Sequence, residues 1–251
     1  MSLFAVDPVS SLVHAAASLK IAALDKRLAV EGFRLPYWTA PDNDATLAEA
    51  LTQRLPNLYR AAFGGIEELC VQVSWRLASG EIAKNVLTPR SATGPSFKNL
   101  MIGSGKVWGK PESAVLKILP IPEVTHAILL RFALPNRREA FRASLQKLDI
   151  RFPLIANLQA ADLSEWIGPE NLGEAFLGLV HWGKAECLAP YLQMIRGLAE
   201  SRQGVWQEFH DGDALPHLQE IVRDAAVAEW RETRIAEGFE DQQKLLKILS
   251  R

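Results

Sequence analysis

Hydrophobic positions recur at helical spacing near the start of the chain, alternate in its middle, and return to helical spacing toward its end. Over 10–32, Leu12, Ala15, Ala16, Leu19, Ala22 and Ala23 follow a helical period, with Ser10 or Ser11 before them and Gly32 after. That predicts a capped helix. Pro36 and Pro41 make 33–44 a loop, and 45–62 reads as helix again, with Asp44 as its cap and Pro56 splitting it. After Gly64-Gly65 the period changes. Leu69, Val71, Val73 and Trp75 alternate with Cys70, Gln72, Ser74 and Arg76, the pattern of a half-buried strand. A turn at 78–81 and a return strand at 82–87 complete a hairpin. Pro89, Gly94 and Pro95 interrupt regular structure, and 97–112 reads as a glycine-broken loop. Strands follow at 114–119 and 125–133. The run Ala127-Ile-Leu-Leu-Arg-Phe-Ala is apolar enough for a central buried strand. A helix over 137–148 and a strand over 150–158 come next. Beyond 160 the pattern is helical, with a short helix from Asp162 and long segments at 169–182, 184–201 and 215–249.

These elements predict an α+β protein: N-terminal helices over 1–66, a small antiparallel β-rich domain over 67–160, and a C-terminal α-helical bundle over 161–251. Charge follows the same division. Residues 84–151 carry 12 Lys and Arg against 4 Asp and Glu, whereas 152–251 carry 9 against 16, so the formal net charge of −1 conceals a basic middle and an acidic end. Such a patch points to a polyanionic partner. No apolar run reaches the roughly 18 residues of a membrane span. The start of the chain lacks a basic, apolar leader, and the two cysteines, Cys70 and Cys187, lie far apart. Together these predict a cytoplasmic protein without a disulfide framework.

The candidate chemistry lies in the basic middle. Lys98, Lys106 and Lys110 are interleaved with Gly103, Gly105, Gly109 and the aromatics Phe97 and Trp108. Glycines let a backbone approach a ligand, lysines neutralise phosphates, and an exposed tryptophan can stack on a base or wedge a duplex. Ile102-Gly-Ser-Gly-Lys-Val has the look of a P-loop, but Leu100 replaces the required glycine and Val107 the magnesium-binding hydroxyl, so no NTPase site is assigned. His210 and His217 flank two aspartates, yet Asp213 reads better as a helix cap ahead of Pro216, and no metal site is assigned. No nucleophile elbow or zinc-protease helix occurs, so no catalytic residue and no cofactor is expected.

The segments Leu69-Cys-Val-Gln-Val-Ser-Trp-Arg-Leu, Pro95-Ser-Phe-Lys-Asn-Leu and Val107-Trp-Gly-Lys-Pro-Glu, with the run 119–132 and Arg137-Arg-Glu-Ala-Phe-Arg, resemble the large-subunit-like protein of type IV CRISPR effector complexes. The resemblance spans about 65–160. Of the zinc-binding cysteines common in that family only Cys70 is present, and Val73 stands where a partner cysteine would be. It implies a non-catalytic subunit that holds the 5′ handle of a guide RNA, reads a protospacer-adjacent motif in target duplex DNA, and contacts repeated backbone subunits, with a helicase as a further candidate partner and no membrane. Under it, Lys98, Asn99, Lys106 and Lys110 face duplex DNA with Trp108 as a wedge, Arg90, Arg131, Arg137, Arg138 and Arg142 hold phosphates, and Lys84 joins the nucleic-acid-binding set. Two alternatives stay open. One is a metal-independent endoribonuclease that processes the guide RNA. The other is a non-enzymatic interaction or immunity module.

Overall fold

The computed structural model describes residues 3–39, 45–88, 96–148, 152–158, 163, 175–207, 220–221 and 224–225. The chain forms two compact units, one containing the residues up to Ile121 and the other beginning at Pro122. The stretch 67–160 is therefore divided between them.

The first unit contains β1 (Phe4–Asp7), β2 (Leu12–Ala16), α1 (Ile21–Val30), β3 (Phe33–Arg34), α2 (Leu47–Gln53), α3 (Arg60–Phe63), α4 (Ile66–Leu69), β4 (Cys70–Leu77), β5 (Ile82–Lys84), α5 (Phe97–Met101), β6 (Gly109–Lys117) and β7 (Leu119–Pro120). Five strands form an antiparallel sheet in the order β1-β2-β6-β4-β5, and β3 pairs with β7. The alternating run at 69–76 forms its expected hairpin, turning at Gly80, whose φ is 90°. Gly109 has a φ of 119°, and a Cβ there would lie 2.0 Å from the Arg76 carbonyl oxygen. Only glycine lets β6 approach β4 at that point.

The helix expected over 10–32 is a correction. Its first half is β2, and helix begins only at Ile21. Asp7 Oδ1 accepts hydrogen bonds from the amides of Val9 and Ser10, and Ser11 adopts a left-handed φ of 52°, which reverses the chain. Val13 and Ala15 then face the core and His14 the opposite side. Leucine and alanine, strong helix formers, masked this alternation. The next helix is capped by Thr46, not Asp44, which lies outside the described residues. Thr46 Oγ1 accepts from the Glu49 amide while the Glu49 carboxylate accepts from the Thr46 amide. Arg54, at a left-handed φ of 49°, ends α2 ahead of Pro56.

The core of this unit packs Val73, Trp75, Ala114 and Leu116 of the sheet against Leu24, Leu28, Leu47 and Leu51 of α1 and α2. Beside it, Asn57 is 4% exposed and fully bonded. Its Oδ1 accepts from the amides of Trp38 and Tyr59, and its Nδ2 donates to the carbonyls of Pro36 and Gly64. One side chain thus ties the proline-rich loop to both ends of α3.

The second unit contains β8 (Val124–Phe132), α6 (Pro135–Leu145), β9 (Leu154–Leu158), β10 (Ala175–Gly183), α7 (Ala185–Ser201) and β11 (Gly204–Gln207). Its antiparallel sheet runs β11-β8-β10-β9, so the apolar run at 127–133 lies in an interior strand as expected. Ile128, Leu130, Phe132, Leu177 and Leu179 pack against Phe141 and Leu145 of α6 and Ile195 and Ala199 of α7. The expected helix over 169–182 is instead β10 from Ala175 onward, with seven consecutive buried residues. A strand covered on both faces has no alternation, so its sequence matches that of a buried helix. The layout of N-terminal helices, a central β domain and a C-terminal bundle is thereby corrected to a five-stranded and a four-stranded antiparallel sheet, each with its own helices. The helix expected over 215–249 and the one from Asp162 lie almost wholly outside the described residues. Among the described residues no helix is long and apolar enough to cross a membrane.

Asn57→Ala removes four hydrogen bonds, two of them buried and two part-buried. It should destabilise the first unit by about 2–4 kcal/mol, read as a lower urea midpoint, because each orphaned buried group costs on the order of 1–3 kcal/mol.

Candidate ligand groove

Three short helices and the end of one strand border a groove of about 470 Å³ in the first unit, lined by Arg54, Glu67, Glu68, Lys98, Asn99, Ile102 and Lys117. The local sequence explains each position. Arg54 is the left-handed residue that terminates α2. Glu67 and Glu68 occupy the first turn of α4, after the glycine pair, and the Glu68 carboxylate accepts from the Gly65 amide at 2.7 Å. Ser96 caps α5 by accepting from the Asn99 amide, which sets Lys98 and Asn99 in its first turns. Lys117 ends β6.

Two of the three cations are engaged by the protein itself. Arg54 pairs with Glu67. Lys98 Nζ donates to the carbonyl oxygens of Glu67 at 2.6 Å and Cys70 at 2.8 Å. Burial pushes the Glu67 carboxyl up, but the Arg54 hydrogen bond, a backbone hydrogen bond and the charges of Arg54 and Arg60 together hold it below the usual carboxylate range. Burial drives the Cys70 thiol up to about 12 despite the nearby Lys98 ammonium, so Cys70 is an inert core residue. Lys117 is exposed, as is Asn99. These two side chains are left to meet a ligand, with carboxylate oxygens beside them as acceptors.

The glycine-rich turn does not cradle a phosphate. The Gly103 amide donates to Leu51 O at 2.8 Å, the Gly105 amide to Thr52 O at 2.9 Å, and Ser104 Oγ to Met101 O at 2.7 Å. Gly103 and Gly105 hold left-handed φ values of 85° and 64°, which turn their amides onto the C-terminal carbonyls of α2, which need donors.

The structure brings together only Lys98 and Asn99 of the residues selected from sequence. Lys84 is exposed at the end of β5, Lys106 is exposed on the turn, and Lys110 is exposed on β6 two residues before Glu112, which pairs with Arg76. Trp108 is 47% exposed. Arg131 lies on β8, and Arg137, Arg138 and Arg142 lie on α6, all in the second unit. Arg138 pairs with its neighbour Glu139 at 3.1 Å. Arg90 and the pair His210 and His217 fall outside the described residues. Sequence reading missed Arg54, Glu67, Glu68 and Lys117. The available signal was the glycine pair followed by two glutamates, which marks a helix start whose acidic first turn attracts cations.

No family model matches the chain. It is 27% identical over 119 residues to alkyldihydroxyacetonephosphate synthase of Caenorhabditis elegans, a match covering 47% of this chain and 20% of that protein. Two solved structures of alkyldihydroxyacetonephosphate synthase share the fold. One has a TM-score of 0.70 over 88% of this chain and 46% of its own, the other 0.71 over 95% and 52%, each at 13% identity. The chain thus spans about half the length of these solved structures. The matched proteins are named as a synthase, an enzyme. These likenesses overturn the resemblance to a CRISPR large subunit. With it fall the guide RNA, duplex DNA, backbone-subunit and helicase partners, the ribonuclease alternative and the interaction-module alternative. Local charge and strand pattern over 65–160 are shared by too many unrelated folds to discriminate among them, whereas strand order and connection over most of the chain do discriminate.

Lys98→Met should cost about 1.5–3 kcal/mol of stability in the first unit, the range for hydrogen bonds to charged groups, while Lys106→Ala and Lys110→Ala stay within about 0.5 kcal/mol of the parent in urea unfolding. Glu67 has a lowered folded-state pKa, so the stability it contributes is present above its unfolded value near 4.5 and is lost as pH falls through the folded one. Glu67→Gln should therefore flatten the acid limb of the stability–pH curve.

Proposed function

We propose that the chain serves small-molecule chemistry of the alkyldihydroxyacetonephosphate synthase kind, on a scaffold of the flavin-binding oxidase type. The observation that supports this most is convergence. The sequence match covers 47% of the chain, and the fold match with a protein of the same name extends to 88–95% of it.

On this proposal the groove of the first unit receives the anionic head of a small phosphorylated substrate. Its volume of about 470 Å³ lies within the range of small-ligand sites. Lys117 supplies an uncommitted ammonium for the phosphate and Asn99 an amide that can donate and accept. Glu67 and Glu68, held in place by Arg54 and the Gly65 amide, offer acceptors for hydroxyl groups. A site so arranged binds and orients its ligand. The two free thiols, one of them buried, suit a reducing cytoplasm.

Flavin adenine dinucleotide is the cofactor such a scaffold implies. Its phosphates need backbone or cationic donors. Among the described residues the glycine-turn amides are bonded to α2 and the Arg54 and Lys98 side chains are engaged, so the groove does not fit a dinucleotide, and no step is assigned to a flavin.

Thermal-shift titration of the purified chain tests the proposal, with dihydroxyacetone phosphate, flavin adenine dinucleotide and duplex DNA as separate ligands. Saturable stabilisation by dihydroxyacetone phosphate is expected, lost in Lys117→Ala and absent with DNA. A flavin shift that survives Lys117→Ala would keep the enzyme scaffold but move the ligand away from this groove. No shift with either small molecule would overturn the proposal.

A further inference from the structure

The second unit contains a buried group that its described residues leave unsatisfied. His181, on β10, is 5% exposed, and among the described residues neither ring nitrogen has a hydrogen-bond partner. Buried polar atoms are nearly always paired, and an orphan calls for an explanation such as an ion or a water. The ring is held in a defined place, with the Phe152 centroid at 6.1 Å and the Tyr191 centroid at 5.2 Å. On the Nε2 side stands Gly183, where a Cβ would lie 2.8 Å from that nitrogen. Glycine at 183 therefore lets the imidazole lie directly against the β10 backbone, where any side chain would strike it.

A second imidazole shares this place. In the β8–β10 ladder, His181 is paired directly with His126. Directly paired residues project from the same face of a sheet, with Cβ atoms about 4.5–5.5 Å apart. At that spacing two imidazoles can converge on one ion, each at about 2.0–2.1 Å.

We propose that His126 and His181 form a cross-strand bis-imidazole site for a divalent transition-metal ion of the Zn²⁺ or Cu²⁺ type, with water completing its coordination. Imidazole suits these ions, whereas Mg²⁺ and Ca²⁺ prefer oxygen. Among the described residues no third His, Cys, Asp or Glu joins the pair. The site is therefore an open, exchangeable one rather than a closed structural centre. It concerns β8 and β10 alone and stands or falls independently of the groove in the first unit.

Cu²⁺ titration of the full chain, followed by calorimetry and electron paramagnetic resonance, tests this. One bound ion with a two-nitrogen imidazole signature is expected, displaced by excess Zn²⁺. Binding should be lost in His126→Gln and His181→Gln, and retained in His14→Gln and in the double variant His210→Gln/His217→Gln. His126 is partly exposed, so His126→Gln decides the matter even if His181→Gln fails to fold. Absence of stoichiometric binding in the unmodified chain, persistence of the two-nitrogen signal in His126→Gln, or its loss in the His210/His217 double variant would each overturn the proposal.

Discussion

The carbonyl groups at the C-terminal ends of two short helices dictate much of the first unit. A helix end leaves its last carbonyls without intrahelical donors, and inside a core those oxygens must be satisfied from elsewhere. At α2 the donors are the amides of Gly103 and Gly105, whose left-handed φ values, readily adopted by glycine, aim them at the carbonyls of Leu51 and Thr52. At α4 the donor is the ammonium of Lys98, shared between Glu67 and Cys70. The segment from Ser96 to Gly105 is thus a connector that closes both helices. The groove exists because those ends, the first turns of α5 and the end of β6 meet around it.

This explains why lysines and glycines read from the sequence as a phosphate-binding loop. A donor-rich, glycine-rich segment has the same composition whether its donors face a ligand's oxygens or the protein's own carbonyls. Only the fold says which acceptors lie opposite. The hairpin at 70–84 was legible because its alternation is regular and its turn carries the glycine it needs. The interior strand at 124–132 was legible as an unbroken apolar run. β2 and β10 were not. The first contains Leu and Ala, whose helix propensity hides a period of two, and the second is buried on both faces and has no period to read. Of the groove, the sequence pointed to Lys98 and Asn99 through their loop chemistry. Arg54, Glu67, Glu68 and Lys117 belong to three different elements, α2, α4 and β6, and their meeting depends on long-range packing.

Charge asymmetry was the most visible sequence feature and the least informative about function. The cations of 84–151 fall into two compact units, and several are bonded within them, Lys98 to carbonyls and Arg138 to Glu139. A patch counted along the chain is therefore not one patch in space. The fold comparison carries more weight because it rests on strand order and connectivity over most of the chain, which local composition cannot imitate.

Native-state hydrogen exchange at the amides of Gly103 and Gly105 tests most directly whether this segment is internal structure or a ligand-facing loop. Donors bonded to α2 should exchange only with the opening of the first unit, at the protection of core amides such as Val73 and Leu116. Exchange at the rate of an unstructured loop, with the rest of the unit still protected, would contradict the account.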